Sequence, residues 1–233
     1  MSRLPDRAEI EVERLAKTYP GGTEAVRGIS FTVLAGEVFG YQIIPALSMT
    51  AGRGPLARAV ADAAELTPAD RVVDIGCGPG TAVRHAARLA ATATGIDPDP
   101  AMLRLARWST AIRRSPNVSW LQGRAEKLPL PDGKATVAWA ISSAHHWEDR
   151  GAGISEARRI LAPGGRLVLA ERLAKPGARG HAAHGLTRDQ ATDLARQLAA
   201  AGFRGVELHT AKAGHRTLVV ISGAKDPAAD PVA

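Results

Sequence analysis

A glycine-rich turn constrains this chain more than any other stretch. A short apolar run that begins at Val72 and Val73 precedes the turn and is typical of a buried parallel strand. An alanine-rich stretch at residues 82–91 follows it and predicts a helix. Gly76, Gly78 and Gly80 let the backbone approach a ligand, and the helix N-terminus offers free N–H groups beside them. A strand, a tight glycine turn and a helix together predict a nucleotide-binding unit.

The next predicted strand, residues 93–97, ends in an acid. Asp97 lies about twenty residues beyond the turn, where a carboxylate accepts hydrogen bonds from ribose hydroxyls. A dinucleotide site requires a small residue three positions after the second glycine, and Thr81 stands there instead. The sequence therefore predicts an adenosine-containing ligand other than a dinucleotide.

Three motifs carry a family resemblance. The pattern E/D-x-G-x-G-x-G is met by Asp74, Gly76, Gly78 and Gly80. This stretch resembles motif I of the class I S-adenosylmethionine-dependent methyltransferases. The run His-His-Trp-Glu-Asp at residues 145–149 and the block L-x-P-G-G-x-L-V-L at residues 161–169 are similar to the small-molecule, type 11-like branch. The resemblance implies an α/β fold with a Rossmann-like, seven-stranded, mostly parallel sheet, helices on both faces and an antiparallel last strand.

The resemblance also implies S-adenosyl-L-methionine as cofactor. The cofactor-binding residues that it assigns are Asp74, Gly76, Cys77, Gly78, Gly80, Asp97, Pro98, Met102, Ala125, Glu126, Ile141 and Ser142. Cys77 is interpreted as a small filler of the turn, and Met102 lines the adenine pocket or packs in the core. Arg124 stands where the family has an adenine-binding Asp, and a cation cannot accept a hydrogen bond from an amine. Adenine recognition then depends on the backbone of Ala125 and Glu126, or on the Glu126 carboxylate.

Two adjacent histidines follow the fourth strand of the predicted sheet, where open α/β sheets bind their ligands. His146 is the candidate catalytic base, since imidazole titrates near neutral pH. Alternatively, one of His145 and His146 packs against the sheet and the other caps the next helix. Glu171 binds a cationic or hydroxyl group of the acceptor, or is a solvated rim carboxylate. No metal site is expected, because the pair His181-x-x-His184 lacks a third ligand.

The N-terminal segment, residues 1–44, resembles the start of an ABC transporter ATPase subunit. It carries two strand-like stretches, at residues 9–13 and 25–33, with Tyr19 where that family has an adenine-stacking aromatic residue. The P-loop pattern G-x-x-x-x-G-K-S/T is absent from the chain, so the segment is expected to be non-functional as an ATPase. The methyltransferase domain is predicted over residues 45–223, followed by a disordered tail at 224–233.

Composition narrows the function classes. The 233 residues carry a formal net charge of +7, yet the arginines are scattered and aromatic residues make up only 4%. A single cysteine excludes an internal disulfide, and no apolar run approaches the roughly 20 residues that span a bilayer. We expect a cytoplasmic enzyme, monomeric or homodimeric, with a small-molecule acceptor and neither a membrane nor a nucleic acid as partner. The alternatives are an RNA methyltransferase and a degenerate cofactor-binding protein without turnover, the latter motivated by Arg124 and Thr136.

Overall fold

A computed structural model describes most of the chain: residues 9–18, 24–34, 54–113, 116–174, 177, 185–214 and 216–227. The chain divides into two compact units, Met1–Gly52 and Arg53–Ala233. In the first unit, β1 (Glu9–Thr18) pairs antiparallel with β2 (Glu24–Leu34), so two strands are present where two were predicted. Tyr19 and residues 35–44, which also carry the ATPase resemblance, lie outside the described residues.

The second unit is built on a seven-stranded sheet. Its strands are β3 (Arg71–Ile75), β4 (Thr92–Asp97), β5 (Val118–Gln122), β6 (Ala135–Ile141), β7 (Leu161–Arg172), β8 (Phe203–Ala213) and β9 (Arg216–Lys225). The strand order is β5-β4-β3-β6-β7-β9-β8. Strands β3 to β7 pair in parallel, and β9 runs antiparallel to both of its neighbours. This confirms the predicted mostly parallel sheet with an antiparallel last strand.

Helices cover both faces of this sheet, as predicted. They are α1 (Gly54–Ala63), α2 (Thr81–Ala86), α3 (Pro100–Arg113), α4 (Arg150–Ile160) and α5 (Arg188–Ala200). Successive strand residues point to opposite faces. Val72 therefore belongs to the apolar cluster beneath α1, α2 and α3, and Val73 to the cluster beneath α4 and α5. None of the described helices is long and apolar enough to span a bilayer.

Two predicted boundaries differ from the structure. The helix predicted over residues 82–91 ends at Ala86, because the Asn117 side chain donates to the carbonyls of Ala87 (2.8 Å) and Ala90 (3.2 Å) and stabilises a turn there. The predicted tail begins too early, since β9 extends through Lys225. The Lys225 side chain is buried, and its Nζ donates to the Leu161 carbonyl at 3.0 Å. Residues 228–233 lie outside the described part of the chain.

A polar network joins the amino-terminal ends of β3, β6 and β7. The buried Asp70 carboxylate accepts hydrogen bonds from Thr67 N (2.8 Å), Thr136 Oγ1 (2.7 Å) and Arg166 Nη2 (2.8 Å). Burial raises the pKa of Asp70, but these donors outweigh it and lower the pKa to about 2. Thr136 thus has a structural role at this edge, where it also accepts the Arg71 N–H at 2.9 Å.

Candidate active site

The glycine turn lies where the strand order of the sheet reverses. The turn follows β3, whose neighbours are β4 on one side and β6 on the other, and open α/β sheets bind ligands at this position. A small pocket, partly open to solvent, lies at this point. Its lining residues are Leu56, Ala57, Asp74, Gly76, Cys77, Pro79, Thr81, Ala82 and Ile141.

The three glycines of the turn have different roles. All three adopt the left-handed conformation, with φ of 75° at Gly76, 53° at Gly78 and 76° at Gly80. A Cβ on Gly76 would meet Ser143 Cβ at 2.5 Å, and one on Gly80 would meet the Trp120 ring at 2.0 Å. A Cβ on Gly78 would meet nothing within 4 Å. Gly76 and Gly80 therefore allow close packing within the protein, whereas Gly78 faces open space through which a ligand reaches the backbone.

Asp97 connects the end of β4 to this turn. Its carboxylate is buried, and it accepts hydrogen bonds from Gly78 N at 2.7 Å and Asp99 N at 2.9 Å. A carboxylate offers about four lone-pair positions, so two further donors, such as a pair of vicinal hydroxyls, can still be accepted. Burial raises the pKa of Asp97 above its ordinary value, and the nearby Asp99 carboxylate acts in the same direction.

Several hydrogen bonds within the protein fix the shape of the turn. Arg84 Nη1 donates both to the Pro79 carbonyl (2.7 Å) and to Ser109 Oγ (2.7 Å) on α3. Ser143 Oγ donates to the Ile75 carbonyl at 2.6 Å. Together with the bond from Gly78 to Asp97, these contacts hold the turn from α2, α3, β4 and the segment after β6.

Cys77 and Asp74 are buried on the wall of the pocket. Burial raises the pKa of the Cys77 thiol well above its ordinary value, and the carboxylates of Asp74 and Asp97 raise it further. The thiol therefore stays protonated at neutral pH and is a poor nucleophile. This is consistent with Cys77 as a small packing residue of the turn.

The other predicted cofactor residues are spread around the pocket. Ile141, at the end of β6, lines it. Ser142 follows with φ 52°, an uncommon value for a residue with a side chain, and its N–H donates to the Ala170 carbonyl at 2.8 Å. Pro98 is exposed, and Met102 is half-buried on α3; neither lines the pocket.

Sequence reasoning missed several residues that line the pocket. Leu56 and Ala57 of α1 form part of its wall, together with Pro79, Thr81 and Ala82 from the turn and α2. The helical spacing of apolar residues in α1 was a signal for a buried face. It did not indicate which residues of that face meet the glycine turn, because this depends on how the helix crosses the sheet.

The Glu126 carboxylate binds the chain's own backbone. Its Oε1 accepts hydrogen bonds from Glu148 N (2.8 Å) and Asp149 N (3.4 Å), and Arg124 pairs with both Glu126 and Glu148. Burial raises the pKa of Glu126, but the backbone donors and Arg124 lower it overall. Glu126 thus joins the segment after β5 to the segment after β6. The Glu126 carboxylate, one of the two predicted adenine contacts, thus already binds the chain itself, and Ala125 beside it is buried.

The two histidines lie in a 3₁₀ turn, Ala144–His146, directly after β6. His145 Nδ1 is 2.8 Å from Glu171 Oε2, and His145 N donates to Glu171 Oε1 at 3.3 Å. Glu171 is only 1% exposed, so the prediction of a solvated rim carboxylate was wrong. His146 is exposed, and its ring lies 3.9 Å from that of His145 between centroids. Sequence reasoning missed the His145–Glu171 pair because it depends on β6 and β7 being neighbours.

Known proteins resemble this chain over its central part. A sequence profile described as a methyltransferase domain matches residues 73–169. The 27-O-demethylrifamycin SV methyltransferase of Amycolatopsis mediterranei (strain S699) is 37% identical over 118 residues, which are 49% of this chain and 43% of that protein. The demethylmenaquinone methyltransferase of Tropheryma whipplei (strain Twist) is 34% identical over 106 residues, which are 46% of this chain and 43% of that protein. The chain thus spans less than half the length of these relatives.

Solved structures match a larger share of the chain. A SAM-dependent methyltransferase from Aquifex aeolicus aligns with a TM-score of 0.64 and 16% identity, over 78% of this chain and 97% of that one. The cyclase SpnF aligns with a TM-score of 0.66 and 21% identity, over 79% of this chain and 93% of that one. At these identities the likeness shows the fold alone. The sequence matches add that residues 73–169 are similar to a methyltransferase domain.

Proposed function

We propose that the chain binds S-adenosylmethionine at the turn after β3 and transfers its methyl group to a small-molecule acceptor. The observation that carries the proposal is the buried Asp97 carboxylate bonded to the N–H of Gly78, the one glycine of the turn that faces open space. This arrangement supports Asp97 as the acceptor for ribose hydroxyls, next to backbone that a ligand can approach. The family match over residues 73–169 supports the same ligand.

The cofactor supplies the activated methyl group, so this chain's residues bind and orient it rather than activate it. Asp97 holds the ribose through its two hydroxyls. Asp74, buried on the pocket wall, faces the methionyl amine directly or through water. Leu56 and Ile141 exclude water from the pocket walls. Catalysis then comes mainly from proximity and orientation of acceptor and methyl group.

The names of the relatives support a small-molecule acceptor. The matched proteins are described as methylating a demethylated rifamycin and demethylmenaquinone, both small organic compounds. We place the reaction in the cytoplasm and assign no nucleic acid as substrate. We further propose that the methyltransferase domain covers residues 45–223 and that residues 1–44 bring no ATPase activity.

Isothermal titration of the full chain with S-adenosylmethionine and S-adenosylhomocysteine tests the proposal. We expect micromolar binding of both by the parent. Asp97→Ala should weaken binding about 100-fold, since each lost hydrogen bond to a charged acceptor costs about 1.5 kcal/mol. Asp132→Ala, on an exposed side chain away from the turn, is the matched control and should bind like the parent. A parent that binds neither compound would sink the proposed function.

A further inference from the structure

We propose that β8 (Phe203–Ala213) is a dimer contact, at which it pairs antiparallel with β8 of a second copy of the chain across a two-fold axis at Leu208. The inference concerns an interaction surface and is independent of the proposed methyl transfer. It commits to a second copy as the partner, because the charges along the strand are complementary to those of a two-fold related copy of the same strand.

β8 is a long strand at the edge of the sheet. It stands last in the strand order and pairs with β9 on one side; among the described residues, no strand lies on its other side. Alternate residues of an edge strand point their backbone N–H and C=O groups away from the sheet, where another strand can pair with them. Proteins commonly keep unused edge strands very short, whereas β8 has 11 residues.

The middle of β8 is exposed on both faces of the sheet. All four residues from 207 to 210 are exposed, whereas residues 218–221, which pair with the same part of the strand, are buried. Leu208, the middle residue of β8, is 41% exposed, although large apolar side chains are mostly buried in the described part of the chain. Pairing about Leu208 would cover this side chain with the same side chain of the second copy.

The charge pattern of β8 selects the position of the axis. Opposite residues of an antiparallel pair point to the same face of a sheet, so the axis passes through a residue. With the axis at Leu208, Glu207 of each copy faces His209 of the other, and an imidazole donates a hydrogen bond to a carboxylate in either protonation state. An axis at Glu207 would set two carboxylates against each other, and an axis at His209 would set Glu207 against Ala211.

The cations near the two ends of β8 are compatible with this register. It brings Arg204 of one copy towards Lys212 of the other, but a bulge between Arg204 and Glu207 bends the strand there. Both cations also contact their own chain: Arg204 pairs with Asp226, and Lys212 Nζ donates to Thr217 Oγ1 at 2.9 Å. The contact between copies therefore depends mainly on the middle of the strand.

Sedimentation velocity of the full chain over a concentration series measures self-association without cofactor or acceptor. One strand pair buries a small area, so we expect a weak dimer with a dissociation constant of roughly 10–100 µM. Leu208→Asp sets two carboxylates against each other at the axis and should weaken the dimer at least about tenfold. Arg104→Glu, exposed on α3 beside the opposite edge strand β5, is the control and should associate like the parent. A parent that stays monomeric up to about 0.5 mM, or an unchanged dimer in Leu208→Asp, would overturn the proposal.

Two charge variants test the register. The double variant Glu207→Lys with His209→Lys sets cations against each other, and the single variant His209→Glu sets carboxylates against each other. Each variant alone should dimerise at least about tenfold more weakly than the parent. In an equimolar mixture every cation faces a carboxylate, so a mixed dimer should form at least as tightly as the parent dimer. A folding defect would not be repaired by mixing, and a mixture that stays monomeric would contradict the register at Leu208.

Disulfide trapping locates the axis itself. A residue on the axis faces its own copy with Cα atoms about 4.5–5.5 Å apart, a distance that a disulfide can bridge. Leu208→Cys should therefore form an intermolecular disulfide under mild oxidation. In Thr210→Cys the two introduced thiols are four residues out of register, roughly 13 Å apart along the strand, and should cross-link far more slowly. Cys77 is buried, so the parent serves as the control without a disulfide. Equal cross-linking of the two variants would overturn the assigned axis.

Discussion

Two buried acids at opposite edges of the same sheet have opposite electrostatics. Asp70, before β3, and Asp97, at the end of β4, are 5% and 7% exposed. The pKa of Asp70 is lowered to about 2, because Arg166, Thr136 and Thr67 donate to it despite its burial. The pKa of Asp97 is raised, because burial outweighs its two backbone donors. Similar solvent exposure thus accompanies a carboxylate that the fold stabilises at one edge and a more deeply buried carboxylate that the fold holds at a cost at the other.

The opposite pKa shifts separate an acid that stabilises the fold, Asp70, from an acid available for ligand binding, Asp97. Asp70 is surrounded by donors from its own chain, so its charge contributes to folding. The Asp97 carboxylate has lone pairs left for donors that the protein does not supply. Its charge is also partly removed from water, which is unfavourable for folding. Natural proteins tolerate such sites where a ligand completes them.

The largest expected effect lies at the amino-terminal edge. Arg166→Met leaves the Asp70 carboxylate buried without its cation and should lower the free energy of unfolding by about 2–3 kcal/mol. Chemical denaturation at neutral pH measures this, with Arg188→Met on an exposed side chain of α5 as control. The lowered pKa of Asp70 stabilises the fold at pH values above the ordinary pKa of 3.8, and this contribution is lost as the pH falls through about 2. The difference in unfolding free energy between parent and variant should therefore become smaller as the pH falls from 3.8 to about 2. A gap independent of pH would contradict the role of the ion pair.

A smaller effect tests how tightly the carboxyl-terminal edge is built. A Cβ on Gly95 would meet the Trp120 ring at 2.5 Å and Cys77 Sγ at 2.8 Å, so Gly95→Ala should cost about 1–3 kcal/mol of unfolding free energy. Trp120→Leu removes the ring that blocks the new methyl group. The double variant should therefore lose less than the sum of the single losses. Additive losses would show that the contact with Trp120 is not the cause.

The smallest expected change in stability, that of Asp97→Asn, is the most direct test of the contrast between Asp70 and Asp97. Asp97→Asn removes a desolvated charge, which favours folding, and also one backbone hydrogen bond worth about 1 kcal/mol, which opposes it. The two nearly cancel, so the ligand-free unfolding free energy should change by less than about 1 kcal/mol. Binding of S-adenosylmethionine should nevertheless fall strongly. A stability loss as large as that of Arg166→Met would remove the distinction between the two edges.

The features that the sequence predicted correctly depend on residues that are close together along the chain. Apolar runs and the glycine turn located β3 and α2, and the acid of β4 fell where expected. Thr187 caps α5 in a capping box with Gln190, a motif that depends only on residues three positions apart. These features are local, because each depends on residues within one turn or one strand.

What the sequence did not predict depends on the register and order of the strands. Trp120 meets the glycine turn because β5 pairs with β4 so that Trp120 lies opposite Gly95. Glu171 reaches His145 because β7 lies beside β6. The Glu126 contact with the backbone of Glu148 joins two loops separated by a strand. No spacing along the chain encodes these three contacts.

The hydrogen bonds that hold the glycine turn also affect the time course of binding. The Arg84 side chain donates to the Pro79 carbonyl, and the Gly78 N–H donates to Asp97, so the chain's own contacts hold the turn. Ordering of the turn is therefore completed during folding and not when the ligand arrives. Association should then proceed at a rate set by diffusion and access to the pocket, with one kinetic phase. Variants that weaken affinity at Asp97 should do so by shortening the lifetime of the complex.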